Sequence, residues 1–497
     1  MSIPDWVQDA IFYQIFPDRF SKSTRNPSGN LPFEAWDSPP TAHGFKGGDL
    51  YGIAEKLDYL QDLGITALYL NPVFASASNH RYHTFDYYQV DPLLGGNEAL
   101  RELVDKAHEK NIRVILDGVF NHASRGFWQF HHVLENGISS PYKDWFFFDT
   151  ARLYGRRRWG AYPTPEEMQA LQSGEDSLKA IGYRGWWNLP ALPKLNTNTP
   201  AVRAFLFDVA KHWIEFGVDG WRLDVPGDID DDSFWQEFRY RVRQANSEAY
   251  IVGEIWHEAL RWLQGDQFDA VMNYELTKPI IAFFPGKHLN LGVSHQQSNY
   301  RGIQHAIDAH EFANRVDHNR GLYKHEITYS QMNLLDSHDT PRFLSCASGD
   351  KASLILAWLF LFTYPGAPSI YYGDEIGLDG QNDPDCRKSF LWDETTWDQE
   401  LLSCAKEMIA LRKRHPALRR GDFTRLWSAE GMYAFSRSLD GKILVVALNT
   451  SESPRQAEVA FESKENTLTL FGEASLISAE AGRLKFTVPA RSGVVLG

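Results

Sequence analysis

One unit recurs along this chain without recurring letters: an amphipathic helix, a glycine or asparagine stop, then a short apolar strand. In DLYGIAEKLDYLQDLGITALYLNPV, Ile53, Leu57, Leu60 and Leu63 fall at helical spacing, Gly64 supplies a left-handed cap, and residues 67–73 read as the strand. The next copy, NEALRELVDKAHEKNIRVILDGVF, carries Leu100, Leu103, Val104 and Ala107 on its helix, Asn111 as the stop, and a strand at 113–120. The third begins with Thr199 as N-cap and Pro200 at the first helical position, turns Val202, Phe205, Leu206, Val209, Trp213 and Phe216 inward, stops at Gly217, and ends in the strand 220–225. Further apolar strands at 10–16, 250–256, 270–274, 333–339 and 369–375 bring the number to eight. Strands that are apolar throughout must be covered on both faces. Eight of them, most preceded by a helix, predict a parallel (β/α)8 barrel. An open doubly wound sheet would want a Gly-rich nucleotide turn after the first strand, and PDRFSKST has none.

Two stretches break the rhythm. Between the third strand and the helix at 200, a segment rich in Trp, Tyr, Phe, Gly and Pro is too long for a plain loop and predicts an inserted subdomain. From about residue 421 short alternating strands predict an antiparallel β-sandwich. The expected architecture is therefore α/β: a TIM barrel from 1–122 and 196–420, an inserted subdomain at 123–195 after the third strand, and a C-terminal β-domain at 421–497.

Composition narrows the function classes. A formal charge of −14 argues against a nucleic-acid partner. The densest basic run, Arg156-Arg157-Arg158, is isolated and reads as a solvated loop. Cys346, Cys386 and Cys404 have neither an even count nor metal-ligand spacing, so no disulfide framework or zinc site is implied. The start of the chain lacks a signal-peptide pattern, and no window approaches eighteen uninterrupted apolar residues; a cytoplasmic protein without membrane contact is expected. Aromatic residues are abundant, with 16 Trp, 21 Tyr and 31 Phe, which serves a large core and also offers flat faces for sugar rings.

In such a barrel the active site lies at the C-terminal ends of the strands, so the polar groups there matter most. The third strand ends with Asp117, Asn121 and His122, the fourth with Arg222 and Asp224, the fifth with Glu254, the seventh with Asp336, His338 and Asp339, and the eighth with Asp374 and Glu375. One such carboxylate is by default a structural ion pair. Several on one rim, with two histidines and an arginine, are costly to bury and point to chemistry. Two carboxylates in different environments are what glycoside hydrolysis needs. Asp224, two residues beyond Arg222, suits the ionised nucleophile; Glu254, beside Ile255 and Trp256, suits the proton-bearing acid; Asp339 suits the support of an oxocarbenium-like transition state. Asp117 has a bland reading as a capping group, and Asp336 as a supporting one. Metal-dependent hydrolysis is the rival chemistry, but it usually shows an H-x-H pair near the first strand, which here ends IFPDRF.

Four of these stretches, DGVFNH, GWRLDVPGD, GEIWH and LLDSHDTPR, resemble in order and spacing the four short conserved regions of the α-amylase superfamily, glycoside hydrolase family 13. LPKLN (192–196) is similar to the fifth region as it occurs in the neopullulanase, cyclomaltodextrinase and maltogenic-amylase branch. The resemblance covers nearly the whole chain. It implies a retaining hydrolase of α-1,4 and α-1,6 links in maltodextrins or branched α-glucans, with some transglycosylation. Asp224 would be the nucleophile, Glu254 the acid/base and Asp339 the transition-state stabiliser. It further implies Tyr87 as the ring stacked on the sugar before the cut, with His122, Arg222, His338, Asp383 and Arg387 around that sugar, and Trp256 and His257 on the acceptor side.

The branch normally carries an N-terminal β-domain that helps to form a domain-swapped dimer; with the first barrel strand near residue 10, that dimer is not expected. The branch's calcium loop after PDRF is replaced by SKSTRNPSGN, although Gly48 and Asp49 remain, so no cofactor or metal is expected. After the nucleophile the usual Ala-Asn-Glu becomes Pro226-Gly227-Asp228, and the Asp expected before DY is His83. A glucan-transferring enzyme and a non-catalytic sugar-binding protein remain the competing readings. The complete set Asp224, Glu254 and Asp339 weighs against the second.

Overall fold

A computed structural model describes residues 3–25, 27–155, 159–461, 467–480 and 482–497; the run Arg156-Arg157-Arg158 lies outside the described residues. The eight apolar segments form strands β1 (Phe12–Ile15), β2 (Ala67–Leu70), β3 (Arg113–Gly118), β4 (Gly220–Leu223), β5 (Tyr250–Gly253), β6 (Ala270–Val271), β7 (Met332–Leu334) and β8 (Ala367–Tyr371). They pair in parallel in chain order from β1 to β6, β7 pairs with β8, and β8 returns to β1. A parallel bridge between Met272 and Met332 joins β6 to β7, so the sheet closes into a barrel.

Alternation along each strand places the site. Phe12, Ala67, Ile115, Tyr250, Val252, Ala270 and Leu334 fill the barrel interior, whereas Tyr13, Leu68, Val114, Leu116, Trp221 and Ile251 face the surrounding helices. Because side chains alternate with a period of two, the inward row continues at the rim as Gln14, Asp117, Arg222, Asp224 and Glu254, all of them buried. The paired stretches are shorter than the apolar runs in sequence. The segment read as 333–339 is hydrogen-bonded only at Met332–Leu334, and Leu335 to Asp339 turn inward as rim loop.

The expected stops are present: Gly64, Asn111 and Gly217 sit at φ of 97°, 57° and 117°. A Cβ on Gly64 would also lie 2.5 Å from Ile409 Cγ2, so the cap doubles as a close approach between helices. Helix Gly96–Glu109 buries Ala99, Leu100, Leu103, Val104 and Ala107 against the sheet, each leucine contributing roughly 1.5–3 kcal/mol. Helix Pro200–Phe216 starts after Thr199 without a side-chain cap, because the Thr199 hydroxyl donates to Asp144 O at 2.5 Å and ties the helix to the inserted segment.

Between β3 and β4 the chain runs through helix Trp128–Asn136 and short helices around a small aromatic core of Phe127, Phe130, Phe146 and Tyr183. The antiparallel bridge His122–Lys194 fastens this segment to the rim, and Phe146–Leu195 closes the segment on itself. The C-terminal strands are β9 (Asp422–Ala429), β10 (Met432–Leu439), β11 (Lys442–Asn449), β12 (Arg455–Ala460), β13 (Thr469–Gly472), β14 (Ser475–Glu480), β15 (Arg483–Val488) and β16 (Ser492–Leu496). Sheets β9-β10-β11-β16-β13 and β12-β15-β14 enclose Ala434, Val445, Val459 and Phe486. The outer face of the larger sheet packs on the barrel through Tyr433 and Phe435, whose rings meet Phe312 and Phe360 at 5.2 and 6.1 Å. Tyr433 is thereby a core residue and offers no face to a polysaccharide. In the same seam Arg437 donates to Thr363 O, Leu418 O and Gly421 O, and Arg412 to Phe362 O and Tyr364 O. The two guanidinium groups thus satisfy carbonyls at the end of helix Lys351–Thr363 that have no helical partner.

Candidate active site

At the centre of the rim lies Arg222, fully buried, with one guanidinium serving three carboxylates. Its Nη1 is 2.9 Å from Asp117 Oδ1 and 3.2 Å from Asp224 Oδ1, and its Nη2 is 3.0 Å from Glu254 Oε2. Asp117 also accepts from the hydroxyls of Tyr69 and Tyr82 at 2.7 and 2.8 Å, so it anchors the arginine and is more than a cap. Glu254 accepts two hydrogen bonds, from the Val225 N–H at 3.1 Å on Oε2 and from the Trp256 indole at 3.0 Å on Oε1. Val225 reaches that position at a φ of 36°, a left-handed conformation that β-branched residues avoid. Strain of this kind, on the order of 1–3 kcal/mol, collects where a turn must aim a group at a reacting centre.

The electrostatics correct one expectation. Arg222 is not a private partner that keeps Asp224 ionised. Burial raises the Asp224 carboxyl well above the usual range, Arg222 opposes the rise, and Glu254, Asp117 and Asp339 add to it. Burial also raises Glu254, again against Arg222 and with Asp339. Two acids pressed together and out of water retain a proton between them. Glu254 accepts two hydrogen bonds and lies 3.0 Å from Arg222 Nη2, while Asp224 Oδ2 is buried without a hydrogen-bond partner.

Asp339 stands across from this pair and behaves differently. Burial pushes its carboxyl up, but His338 and Arg387 outweigh that and hold it well below the usual range. His338 Nε2 is 3.0 Å from Asp339 Oδ2 and 2.6 Å from Tyr82 Oη. The Gln14 amide nitrogen, 2.8 Å from His338 Nδ1, leaves the ring proton on Nε2. Arg387 links Asp339 to Asp383 at 3.1 and 2.9 Å and donates from Nε to His338 O at 2.8 Å.

His122 is buried with its Nε2 unpartnered, its ring flat against Trp186 at 4.7 Å. Burial pushes its pKa down to about 3, so it is a neutral imidazole with a nitrogen free for a sugar hydroxyl. The unfolded chain takes up that proton from about pH 6.5 downward and the folded protein only near 3, so folding stability falls as pH drops through this interval. Each pH unit costs about 1.4 kcal/mol from this group. Urea unfolding at pH 7, 5.5 and 4.5 measures the slope, and His122→Asn is expected to flatten it; an unchanged slope would mean that His122 titrates alike in both states.

Trp256 lies flat on Tyr274 with ring centres 3.6 Å apart, half-buried beside Glu254. His257 is exposed, its Nδ1 2.9 Å from Glu258 O, at the outer edge of the same loop.

Tyr87 requires a correction. Its ring is walled in by Phe74, Phe127 and Phe205, its hydroxyl donates to His122 O at 2.8 Å, and none of it is exposed. It supports His122 from behind and presents no face to a sugar. The exposed-edge tyrosine of the rim is Tyr82, stacked on His338 at 5.5 Å and 7° and bonded to Asp117. Tyr82 lies in the loop between hairpin strands Phe74–Ser76 and Thr84–Val90, which turns back over the rim, whereas Tyr87 falls on the buried face of the second strand.

A calcium ion does not fit the residues near Asp49. Both Asp49 oxygens accept backbone N–H groups, from Ser23 at 2.9 Å and Gly52 at 2.8 Å. Asp18 takes Arg19 Nε at 2.7 Å and the amides of Lys46 and Gly47 at 2.8 and 3.1 Å. These carboxylates face donors rather than joining the six to eight oxygens that calcium needs. Among the described residues no group of three His, Cys, Asp or Glu side chains could hold a metal ion.

The family model for the alpha-amylase catalytic domain matches residues 14–475. The chain is 40% identical over 491 residues to a cyclomaltodextrinase of Geobacillus thermopakistaniensis, covering 98% of this chain and 76% of that protein. It is 41% identical to neopullulanase 2 of Thermoactinomyces vulgaris, covering 99% and 78%. Among solved structures, the native debranching enzyme of Nostoc punctiforme superimposes with a TM-score of 0.89 at 45% identity, over 100% of this chain and 99% of that one.

Proposed function

The chain belongs to the alpha-amylase family, and on that premise we propose that it is a retaining α-glucan hydrolase. Its substrates are maltodextrins, cut at α-1,4 and also at α-1,6 links, with transfer to sugar acceptors as a side reaction. The observation that carries the reading is Asp224 and Glu254 held on one buried arginine, with Asp339 opposite them. A shared guanidinium brings two carboxylates together, as a nucleophile and an acid/base of one site require.

A sugar hydroxyl that donates to the unpartnered Asp224 Oδ2 favours the ionised form of that carboxylate and leaves the proton of the pair on Glu254. Asp224 then attacks the anomeric carbon while Glu254 protonates the departing oxygen. A β-linked glycosyl ester forms on Asp224. Glu254, now a base, draws a proton from water, which opens the ester and restores the α configuration. Asp339, held ionised, faces the positive charge that builds on the sugar ring in both steps. Tyr82 and His122 supply a ring face and a nitrogen for the sugar before the cut. A second sugar in place of water gives transfer, and acceptor-site shape decides between the two.

Cleavage at α-1,6 links is supported by two relatives. One is the Nostoc debranching enzyme, and the other is the cyclic α-maltosyl-(1→6)-maltose hydrolase of Arthrobacter globiformis, 33% identical over 99% of both chains with a TM-score of 0.83. A cytoplasmic location is supported by a 39% identical intracellular maltogenic amylase of Bacillus subtilis, over 90% of this chain and 69% of that protein. Among the described residues, no helix is long and apolar enough to cross a membrane.

The test is chromatography of products from a singly branched maltodextrin, a linear maltooligosaccharide and β-cyclodextrin. Intact linear chains from the first and short maltooligosaccharides from the second are expected. Products longer than the substrate in every case would make the protein a transferase, and no products at all would end the catalytic reading.

A further inference from the structure

Above the site rises a pile of three flat rings. His122 meets Trp186 at 4.7 Å and 11°, and Trp186 meets Trp187 at 4.5 Å and 19°. The outermost ring, Trp187, is 76% exposed. A single exposed apolar side chain needs no explanation on its own. This one is held in an unusual way. Trp187 and Asn188 both adopt left-handed backbone, at φ of 50° and 60°. Their loop is pinned on either side: Trp186 N donates to Leu192 O at 2.8 Å, Ser177 N to Asn188 Oδ1 at 3.0 Å, and Gly185 N to Ser177 Oγ at 2.9 Å. A backbone that bulky residues avoid is thus fixed so that an indole lies flat and open to solvent.

The pile also has a definite side. Trp186 Nε1 donates to Asp228 Oδ2 at 2.6 Å, and Lys194 Nζ donates to Asp228 O at 2.7 Å. Asp228 ends the turn that begins at the nucleophile, and this turn lies against the acid: Val225 N–H meets Glu254, and a Cβ on Gly227 would be 3.6 Å from Ile255 Cδ1. Glu254 protonates the departing oxygen, so groups tied to this turn border the path of the leaving sugar. Two ring spacings separate Trp187 from His122, which places it beyond the first leaving unit.

We infer that the outer face of Trp187 is a stacking platform for the second glucosyl unit on the leaving-group side of the cut. The axial C–H groups of a pyranose meet the indole face, so the site favours α-glucans with at least two sugars beyond the scissile bond. The inference rests on the hydrolase reading for its direction, and its test separates the two.

kcat/KM is measured for maltoheptaose and for p-nitrophenyl α-maltoside, whose leaving group carries no sugar, with wild type, Trp187→Ala and Trp187→Phe. Loss of one aromatic stack is expected to lower the ratio of the two values about tenfold in the alanine variant, through KM, and the phenylalanine variant keeps most of it. Maltoheptaose binding is measured in parallel by calorimetry on Asp224→Asn protein with and without Trp187→Ala, with a weakening of similar size expected. An unchanged ratio, an equal loss on both substrates, or unchanged binding would overturn the platform. A wild type that cleaves neither substrate would overturn the hydrolase reading instead, and the binding arm would still judge Trp187.

Discussion

Replacing Asp224 with asparagine lowers kcat on a linear maltooligosaccharide by on the order of 10⁴-fold or more, with the fold intact. The amide is the same size as the carboxyl and still offers an oxygen to Arg222 Nη1, now 3.2 Å from Asp224 Oδ1, so packing around the buried group is kept. What is lost is the nucleophile, because an amide oxygen cannot form the glycosyl ester on which the two-step route depends. The neighbouring carboxylates cannot take over: both oxygens of Asp117 lie on Arg222 with one also bonded to Tyr69 and Tyr82, and Asp339 is held between His338 and Arg387. Reducing-sugar release measures kcat, and thermal unfolding beside the wild type shows whether the protein is otherwise unchanged. Activity within tenfold of wild type would remove Asp224 from the role of nucleophile.

The barrel was legible because its strands are apolar on both faces and its helices end in residues that tolerate positive φ; Gly64, Asn111 and Gly217 all stop where the pattern says. The row Asp117, Arg222, Asp224 and Glu254 follows from strand alternation carried one step past the last apolar residue. Three things were not legible. Which of several nearby tyrosines faces the sugar depends on a hairpin whose pairing is irregular, with register shifts on both sides of Ala75, so the spacing in RYHTFDYY does not tell Tyr82 from Tyr87. The sharing of Arg222 among three carboxylates is a contact between β3, β4 and β5, and proximity along the chain showed only its pairing with Asp224. The pile on His122 was hidden for the same reason. Trp186 and Trp187 reach His122 because the bridges His122–Lys194 and Gly185–Pro193 fold their loop back onto the rim.

Glu254→Gln produces a loss that depends on the leaving group, and this dependence identifies the acid/base. With a maltooligosaccharide, departure of a sugar oxygen needs the proton, and kcat falls by on the order of 10²–10⁴-fold. With α-maltosyl fluoride, fluoride leaves without one, so the glycosyl ester on Asp224 still forms and then accumulates, because water lacks the base that would open it. Azide needs no base. Its addition therefore restores turnover and yields the α-maltosyl azide, whereas in Asp224→Asn, which cannot form the ester, azide can only displace fluoride directly and any product is the β anomer. The substitution also has a structural cost that can be read separately. The Val225 N–H and the Trp256 indole each donate to one carboxylate oxygen, with Arg222 Nη2 3.0 Å from Oε2, and glutamine offers one oxygen and an NH2 group that must face a donor. A loss of about 1–3 kcal/mol in unfolding free energy follows from that mismatch. Since the mismatch is the same with every substrate, it cannot produce a defect that azide repairs. A variant equally slow on the fluoride and the oligosaccharide, and deaf to azide, would show that Glu254 holds the site together without exchanging a proton with substrate.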